Sequence, residues 1–155
     1  MLPIPNGFFL TAGNAEGEEP LTAFDGALIA AGIGDVNLVR VSSILPPGAR
    51  PLAETELPPG ALVPIAYGYT CSDEPGAIIA AAVAVGIPEP GRPGVIVEHS
   101  GRGTREEMEA IVRAMVRETF ARRGRPDPAQ VLVRSVQHQV VKVGCAFAGL
   151  VLWYH

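Results

Sequence analysis

Prolines at positions 46, 47, 51, 58 and 59 dominate one stretch of this chain. Each ring locks φ and removes a backbone donor, so residues 46–60 can form neither a helix nor a central strand and must run as a constrained, extended connection. The segment entering it, Val36 to Ser42, alternates apolar and polar residues as a partly buried strand would. The segment leaving it, Leu62 to Thr70, reads as a strand again. Two strands are therefore joined by a stiff crossing, with Ser42 and Ser43 at its entrance.

The same punctuation divides the rest of the chain. Gly7 to Thr11 reads as a short strand, and Ala12 to Gly17 has the small and polar residues of a turn. A helix follows, with Glu18 and Glu19 favouring its N-terminus, Pro20 in its first turn, and Leu21, Phe24, Leu28 and Ile29 at roughly helical spacing. Gly32 and Gly34 end it. Between Ala77 and Ile87 the alanines favour helix, but Ile78, Ile79, Val83 and Val85 between turn signals suit a buried strand, which is the assignment adopted. Val95 to Glu98 is another strand. Thr104-Arg105-Glu106-Glu107 is a capping box opening a helix whose buried face is expected to carry Met108, Ile111, Val112, Met115 and Phe120. Gly124 to Pro128 stops it, and Val131–Val141 and Cys145–Tyr154 read as closing strands joined near Lys142 to Gly144. The pattern predicts one α+β domain, a layered sandwich of mostly antiparallel strands.

Composition narrows the function classes. A chain of 155 residues can bury a core without metal or disulfide staples. With 48% hydrophobic and only 18% charged residues, it carries more apolar surface than a lone globule of this size needs, so burial between subunits is expected. A net charge of −4 argues against nucleic acid as a partner, because backbone binding needs a clustered excess of Lys and Arg. Cys71 and Cys145 show neither a C-x-x-C pattern nor a nearby metal-binding His, so both are expected to be buried free thiols and no metal site is signalled. The N-terminus lacks a basic region followed by an apolar run, and Pro and Gly interrupt every long apolar stretch, so no membrane span is expected and the protein reads as cytoplasmic.

The Ser42-Ser43 pair stands where the backbone passes from strand to rigid loop, a junction at which strain can concentrate. Attack of Ser43 Oγ on the Ser42 carbonyl would give an ester by an N-to-O acyl shift. β-Elimination would then release Ser42 as a new C-terminus, and the dehydroalanine left at 43 would hydrolyse to a pyruvoyl group with loss of ammonia. A Ser-Ser dipeptide is common and signals nothing alone. Its surroundings do. The run Glu16 to Leu28 (EGEEPLTAFDGAL) and the run Ala31 to Pro47 (AGIGDVNLVRVSSILPP) closely resemble the pyruvoyl-dependent arginine decarboxylases. Gly60 to Pro64, Ala66 to Tyr69, the Glu98 strand, Gly144 to Ala148 and Leu152 to Tyr154 also resemble that family, so the likeness covers nearly the whole chain.

That resemblance implies an αββα sandwich and self-cleavage into residues 1–42 and 43–155. It further implies a pyruvoyl cofactor made from Ser43 in place of pyridoxal phosphate or a metal, and a homo-oligomer, a trimer or a multiple of it, with active sites between neighbours. The implied reaction converts L-arginine to agmatine and carbon dioxide, a step usable in polyamine biosynthesis or acid resistance.

Individual residues acquire roles on both grounds. Glu98 ends the apolar run Val95-Ile96-Val97, where burial would raise a carboxyl pKa and keep it protonated; the resemblance makes it the proton donor. Without the family match, a solvent-facing strand-end carboxylate is the better reading. Asn37 lies six positions before Ser43, an even spacing that puts both on one face if the strand is unbroken, so its amide could polarise the Ser42 carbonyl. Asp25, between Phe24 and Gly26, could receive a guanidinium bidentately, and the family pattern favours that role over an exposed helix aspartate. Leu28, Gly34 and Val36 are carried over as substrate-pocket residues, though each equally suits a core or a turn. Gly32-Ile33-Gly34 follows a helix rather than a strand, so it terminates that helix and does not bind a dinucleotide. Gly101 to Thr104 lacks the Lys of a phosphate loop and reads as a turn with an N-cap. His99 is expected to face away from Glu98, and His138 and His155 show no partner pattern. Two rival readings remain: a decarboxylase of another amino acid, and a non-cleaving trimer that binds a guanidino compound or other cation.

Overall fold

A computed structural model of the protein describes residues 1–53 and 55–155. The strand-forming runs become β1 (Gly7–Glu16), β2 (Asn37–Arg40), β3 (Ile44–Leu45), β4 (Arg50–Pro51), β5 (Leu62–Ser72), β6 (Ile78–Ile87), β7 (Gly94–Arg102), β8 (Gln130–Gln139) and β9 (Gly144–Trp153). The helices are α1 (Pro20–Ala30) and α2 (Arg105–Arg122). One sheet has the order β2-β5-β9-β1-β4 and the other β3-β7-β6-β8. Pairing is antiparallel except where β2 joins β5 and β4 joins β1.

Strand alternation builds the layers. Phe8, Ala66, Ala148 and Leu150 of the first sheet meet Val83, Val85 and Ile96 of the second in the central core. The opposite face of the first sheet, with Val63, Ile65, Phe147 and Val151, is covered by Ala23, Ala27 and Leu28 of α1. Ala82, Ala84, Val95 and Val97 of the second sheet are covered by Met108, Val112, Val116 and Phe120 of α2. The order of layers is thus helix, sheet, sheet, helix, the expected αββα sandwich.

Several expectations change for physical reasons. Ala12 to Glu16 continue β1 rather than turning, because their small side chains let α1 lie close: a methyl at Gly13 would collide with backbone atoms of Ala27 and Ala31. Leu21 and Ile29 are exposed, and α1 packs instead through its alanines. On α2, whose Thr104 Oγ1 accepts from Glu107 N at 3.2 Å, Ile111 is exposed and Val116 takes its place in the core. The closing strands β8 and β9 lie in different sheets, so the connection between them, Val140 to Val143, crosses from one layer to the other.

The cysteines are also corrected. Cys71 and Cys145 are 74 positions apart in sequence, but the antiparallel register of β5 and β9 sets them directly opposite, and they form a disulfide. No free thiol remains among the described residues. His138 likewise has partners: its Nε2 pairs with Glu16 and Asn14 Nδ2 donates to its Nδ1 at 2.8 Å, tying β8 to β1 across the sandwich. The Glu16 carboxylate also accepts the backbone N–H groups of Val141 and Lys142 at 3.2 and 2.7 Å.

Candidate active site

The stiff proline-rich crossing begins at the corner where the chain leaves one sheet for the other. β2 pairs with β5 as far as Arg40, and Val41 N still donates to Ile65 O at 3.1 Å. Three residues later β3 pairs with β7 in the other sheet, with Ile44 opposite Val95. Ser43 O accepts from Ile96 N at 2.9 Å. The Ser42–Ser43 bond is therefore held from both sides, between two sheets packed on one core. Ser43 adopts φ 86°, the single non-glycine residue with positive φ among the described residues. For a residue with a Cβ such a backbone costs on the order of 1–3 kcal/mol and persists only where the surroundings impose it.

β7 carries Glu98 past the same corner, two residues beyond the Ile96 N–H that holds Ser43 O. Across the sandwich it faces Gly68 of β5, where an added Cβ would stand 3.2 Å from Glu98 Cγ, so the missing side chain leaves room for the carboxyl. Glu98 is half-buried, and its Oε2 is sealed from water without a hydrogen-bond partner. Burial raises its pKa above the ordinary value near 4.5, opposed in part by the charge of Arg40. The carboxyl thus borders a cleft of about 840 Å³ between the first turn of α1, Arg40, residues 68–71 of β5 and residues 98–100 of β7. His99, expected to face away, lines this cleft as well.

The other predicted residues lie elsewhere in the protomer. The strand from Asn37 to Ser43 is broken after Arg40, which removes the shared face expected for these two residues; Asn37 Nδ2 instead donates to Gly60 O at 3.0 Å. Asp25 is exposed on α1, next to the cleft residue Phe24. Leu28 belongs to the core under α1 and Val36 packs against it. Gly34 fits beneath Ile29, where a methyl would sit 2.6 Å from Ile29 Cγ1. A second cleft, of about 810 Å³, lies between β1, the end of α1 and β8, and none of the predicted residues lines it.

Sequence reasoning missed the cleft residues Arg40 and Tyr69, and Tyr67, which supports Arg40. The Arg40 guanidinium carbon lies 4.2 Å from the Tyr67 ring centroid, and its Nη2 donates to Tyr67 O. Tyr69 packs on Phe24 at 4.6 Å between centroids, and its carbonyl accepts from Ser100 Oγ at 2.8 Å. The signal was present: Tyr67 and Tyr69 are two apart on a strand and share a face, and Arg40 is the lone charge in Leu38-Val39-Arg40-Val41.

Ser42 and Ser43 thus stand on a strained backbone corner, and two residues along β7 from the amide that holds Ser43 O lies a carboxyl that burial shifts toward its protonated form. The family model "Pyruvoyl-dependent arginine decarboxylase" matches residues 7–155. A curated protein of that name from Methanocaldococcus jannaschii is 49% identical over 152 residues, covering 97% of this chain and 92% of its own. Its namesake from Methanococcus maripaludis is 41% identical over 151 residues, with 97% and 92% covered. The one from Thermococcus kodakarensis is 46% identical over 121 residues, 77% of each chain. The chain belongs to the pyruvoyl-dependent arginine decarboxylase family.

Proposed function

We propose that this chain cuts itself between Ser42 and Ser43 into residues 1–42 and 43–155, and that the processed protein decarboxylates L-arginine to agmatine and carbon dioxide. The observation that carries this reading is the positive φ of Ser43 at the sheet-switching corner, on a chain of this family. Ser43 Oγ attacks the Ser42 carbonyl carbon, the C–N bond breaks, and the proton passes to the Ser43 nitrogen. Loss of the Ser43 α-proton then expels the Ser42 carboxylate, and hydrolysis of the dehydroalanine releases ammonia. Residue 43 keeps its place because Ile96 N and the β3–β7 pairing hold the downstream side.

A pyruvoyl group at 43 would supply a carbonyl for condensation with an α-amine and, in its adjacent amide carbonyl, a sink for the electron pair left by carbon dioxide, the work done elsewhere by pyridoxal phosphate. Glu98 holds the proton that must reach the former α-carbon, in a niche dry enough to keep it. Asp25 receives the guanidinium, and Asn37, Leu28, Gly34 and Val36 complete the substrate site. Because Asp25 and Asn37 are exposed in one protomer, the site is finished by a neighbouring copy. A trimer or a multiple of it also covers the exposed apolar side chains of Leu21, Ile29, Val39, Ile44 and Leu62. No helix among the described residues is long and apolar enough to cross a membrane; we place the enzyme in the cytoplasm, in polyamine synthesis or proton-consuming acid resistance.

Intact mass of the purified protein tests the processing step: two fragments are expected, and a single uncut chain of full mass would defeat it. Carbon dioxide release tests the substrate. Arginine is turned over well, lysine and ornithine poorly, and Asp25→Asn raises KM for arginine with little effect on processing. A carboxylate fork meets two parallel guanidinium N–H groups, whereas an ammonium is a point charge. Losing that charge-assisted contact costs on the order of 1.5–3 kcal/mol, roughly tenfold to hundredfold in kcat/KM. Equal use of lysine and arginine by the wild type would move the assignment to a decarboxylase of another amino acid.

A further inference from the structure

Arg40 stands two residues ahead of Ser42 and reaches into the cleft that Glu98 borders. Its guanidinium is committed elsewhere: one face lies on the Tyr67 ring, 4.2 Å from the centroid, and Nη2 donates to Tyr67 O. The Glu98 carboxyl meanwhile has its Oε2 buried with no hydrogen-bond partner among the described residues. A carboxyl and a guanidinium thus share one cleft with no salt bridge between them among the described residues, although Arg is well suited to a bidentate pair with a carboxylate.

Resting on the reading of Glu98 as proton donor, we propose that Arg40 is a positioning residue, clamped on Tyr67 so that its charge faces Glu98 without forming an ion pair with it. A direct pair would hold Glu98 ionised and leave it no proton to give. An uncharged residue at 40 would leave burial unopposed and make the carboxyl slow to release and regain its proton. The clamp holds the site between these extremes.

The strands and helix packed around β7 among the described residues offer Glu98 no rival charge. β3, β6 and β9, packed around β7, contain no charged residue. β5 turns Gly68 toward Glu98 while its Tyr67 and Tyr69 pack on the α1 side with Phe147 and Phe24, and α2 covers the opposite face of β7 through Met108 and Val112. His99 is the neighbour along β7 itself, and among the described residues Arg40 is the charged side chain that shares the cleft with Glu98 and opposes its burial.

Two substitutions should therefore act in opposite directions. Arg40→Met removes the charge, so Glu98 keeps its proton to higher pH and the alkaline limb of kcat moves up. Arg40→Lys retains a charge but loses the planar stacking face; the flexible ammonium is free to reach Glu98, and the limb moves down. Tyr67→Leu releases the clamp while keeping Arg40, and moves it in the same direction as Arg40→Lys. A second readout does not need turnover: NMR titration of ¹³C-labelled Glu98 in the uncut Ser43→Ala chain, assigned by its loss in Glu98→Gln. The titration midpoint should rise with Arg40→Met and fall with Arg40→Lys and Tyr67→Leu. A midpoint indifferent to all three, or displaced the same way by Met and Lys, overturns the proposal. If the midpoints separate as expected but the kcat limbs fail to follow them, the clamp stands and the assignment of Glu98 as donor falls.

Discussion

Ser43→Ala leaves one uncut chain that folds and releases no carbon dioxide from arginine. Alanine keeps the Cβ that makes φ 86° unfavourable, so the backbone strain at the corner is little changed, and the hydrogen bond from Ile96 N to residue 43 O uses only main-chain atoms. What disappears is the hydroxyl that must attack the Ser42 carbonyl. Without it there is no ester, no elimination and no carbonyl at residue 43 to engage an amine, so the loss of turnover is complete rather than partial. Ser43→Cys retains some cleavage, because a thiol can make the same shift through a thioester. Mass spectrometry of the Ala variant is decisive: fragments ending at Ser42 would mean that the cut does not depend on Ser43 Oγ. Thermal unfolding compared with that of the wild-type precursor distinguishes an uncut native chain from a misfolded one.

The fold was legible in proportion to how far local pattern determined it. The prolines marked the stiff crossing, the capping box at Thr104 to Glu107 marked α2, and apolar runs between turn signals marked β5 and the closing strands. What failed was whatever depended on which strand lies beside which. Gly13 and its small neighbours looked like a turn because the helix that needs their smallness is a partner distant in sequence. The disulfide between Cys71 and Cys145 required the β5–β9 register, which spacing alone does not reveal. Asn37 was set on the face of Ser43 by parity, which is meaningful only along an unbroken strand, and the chain changes sheets between them. The serine pair and Glu98 stood out through the family resemblance of the runs around them and not through their own pattern, whereas the stacking of Arg40 on Tyr67 depends on a second strand.

Glu98→Gln produces the second large effect. The amide is nearly isosteric, so the cleft keeps its shape and self-cleavage proceeds, but it has no acidic proton to deliver, and turnover falls by roughly 10²–10⁴-fold as for loss of a general acid. The same substitution has a consequence for stability whose sign is fixed by burial. Desolvation holds the folded carboxyl above its ordinary value near 4.5, against the opposing charge of Arg40. The folded state therefore binds a proton more tightly than the unfolded chain does. That contribution is fully present below pH 4.5 and is lost as pH rises through the folded value, because ionising a carboxyl whose Oε2 lacks a partner is unfavourable. Glutamine carries no such burden. The variant should gain stability relative to wild type as pH rises from about 4.5 toward neutrality, with the advantage vanishing in acid. Denaturant unfolding of the Ser43→Ala and Ser43→Ala/Glu98→Gln chains at several pH values measures this without interference from processing. A constant difference at every pH would mean that Glu98 is solvated and ionised like a surface carboxylate. Near-normal turnover by the cleaved single variant would remove it from the reaction altogether.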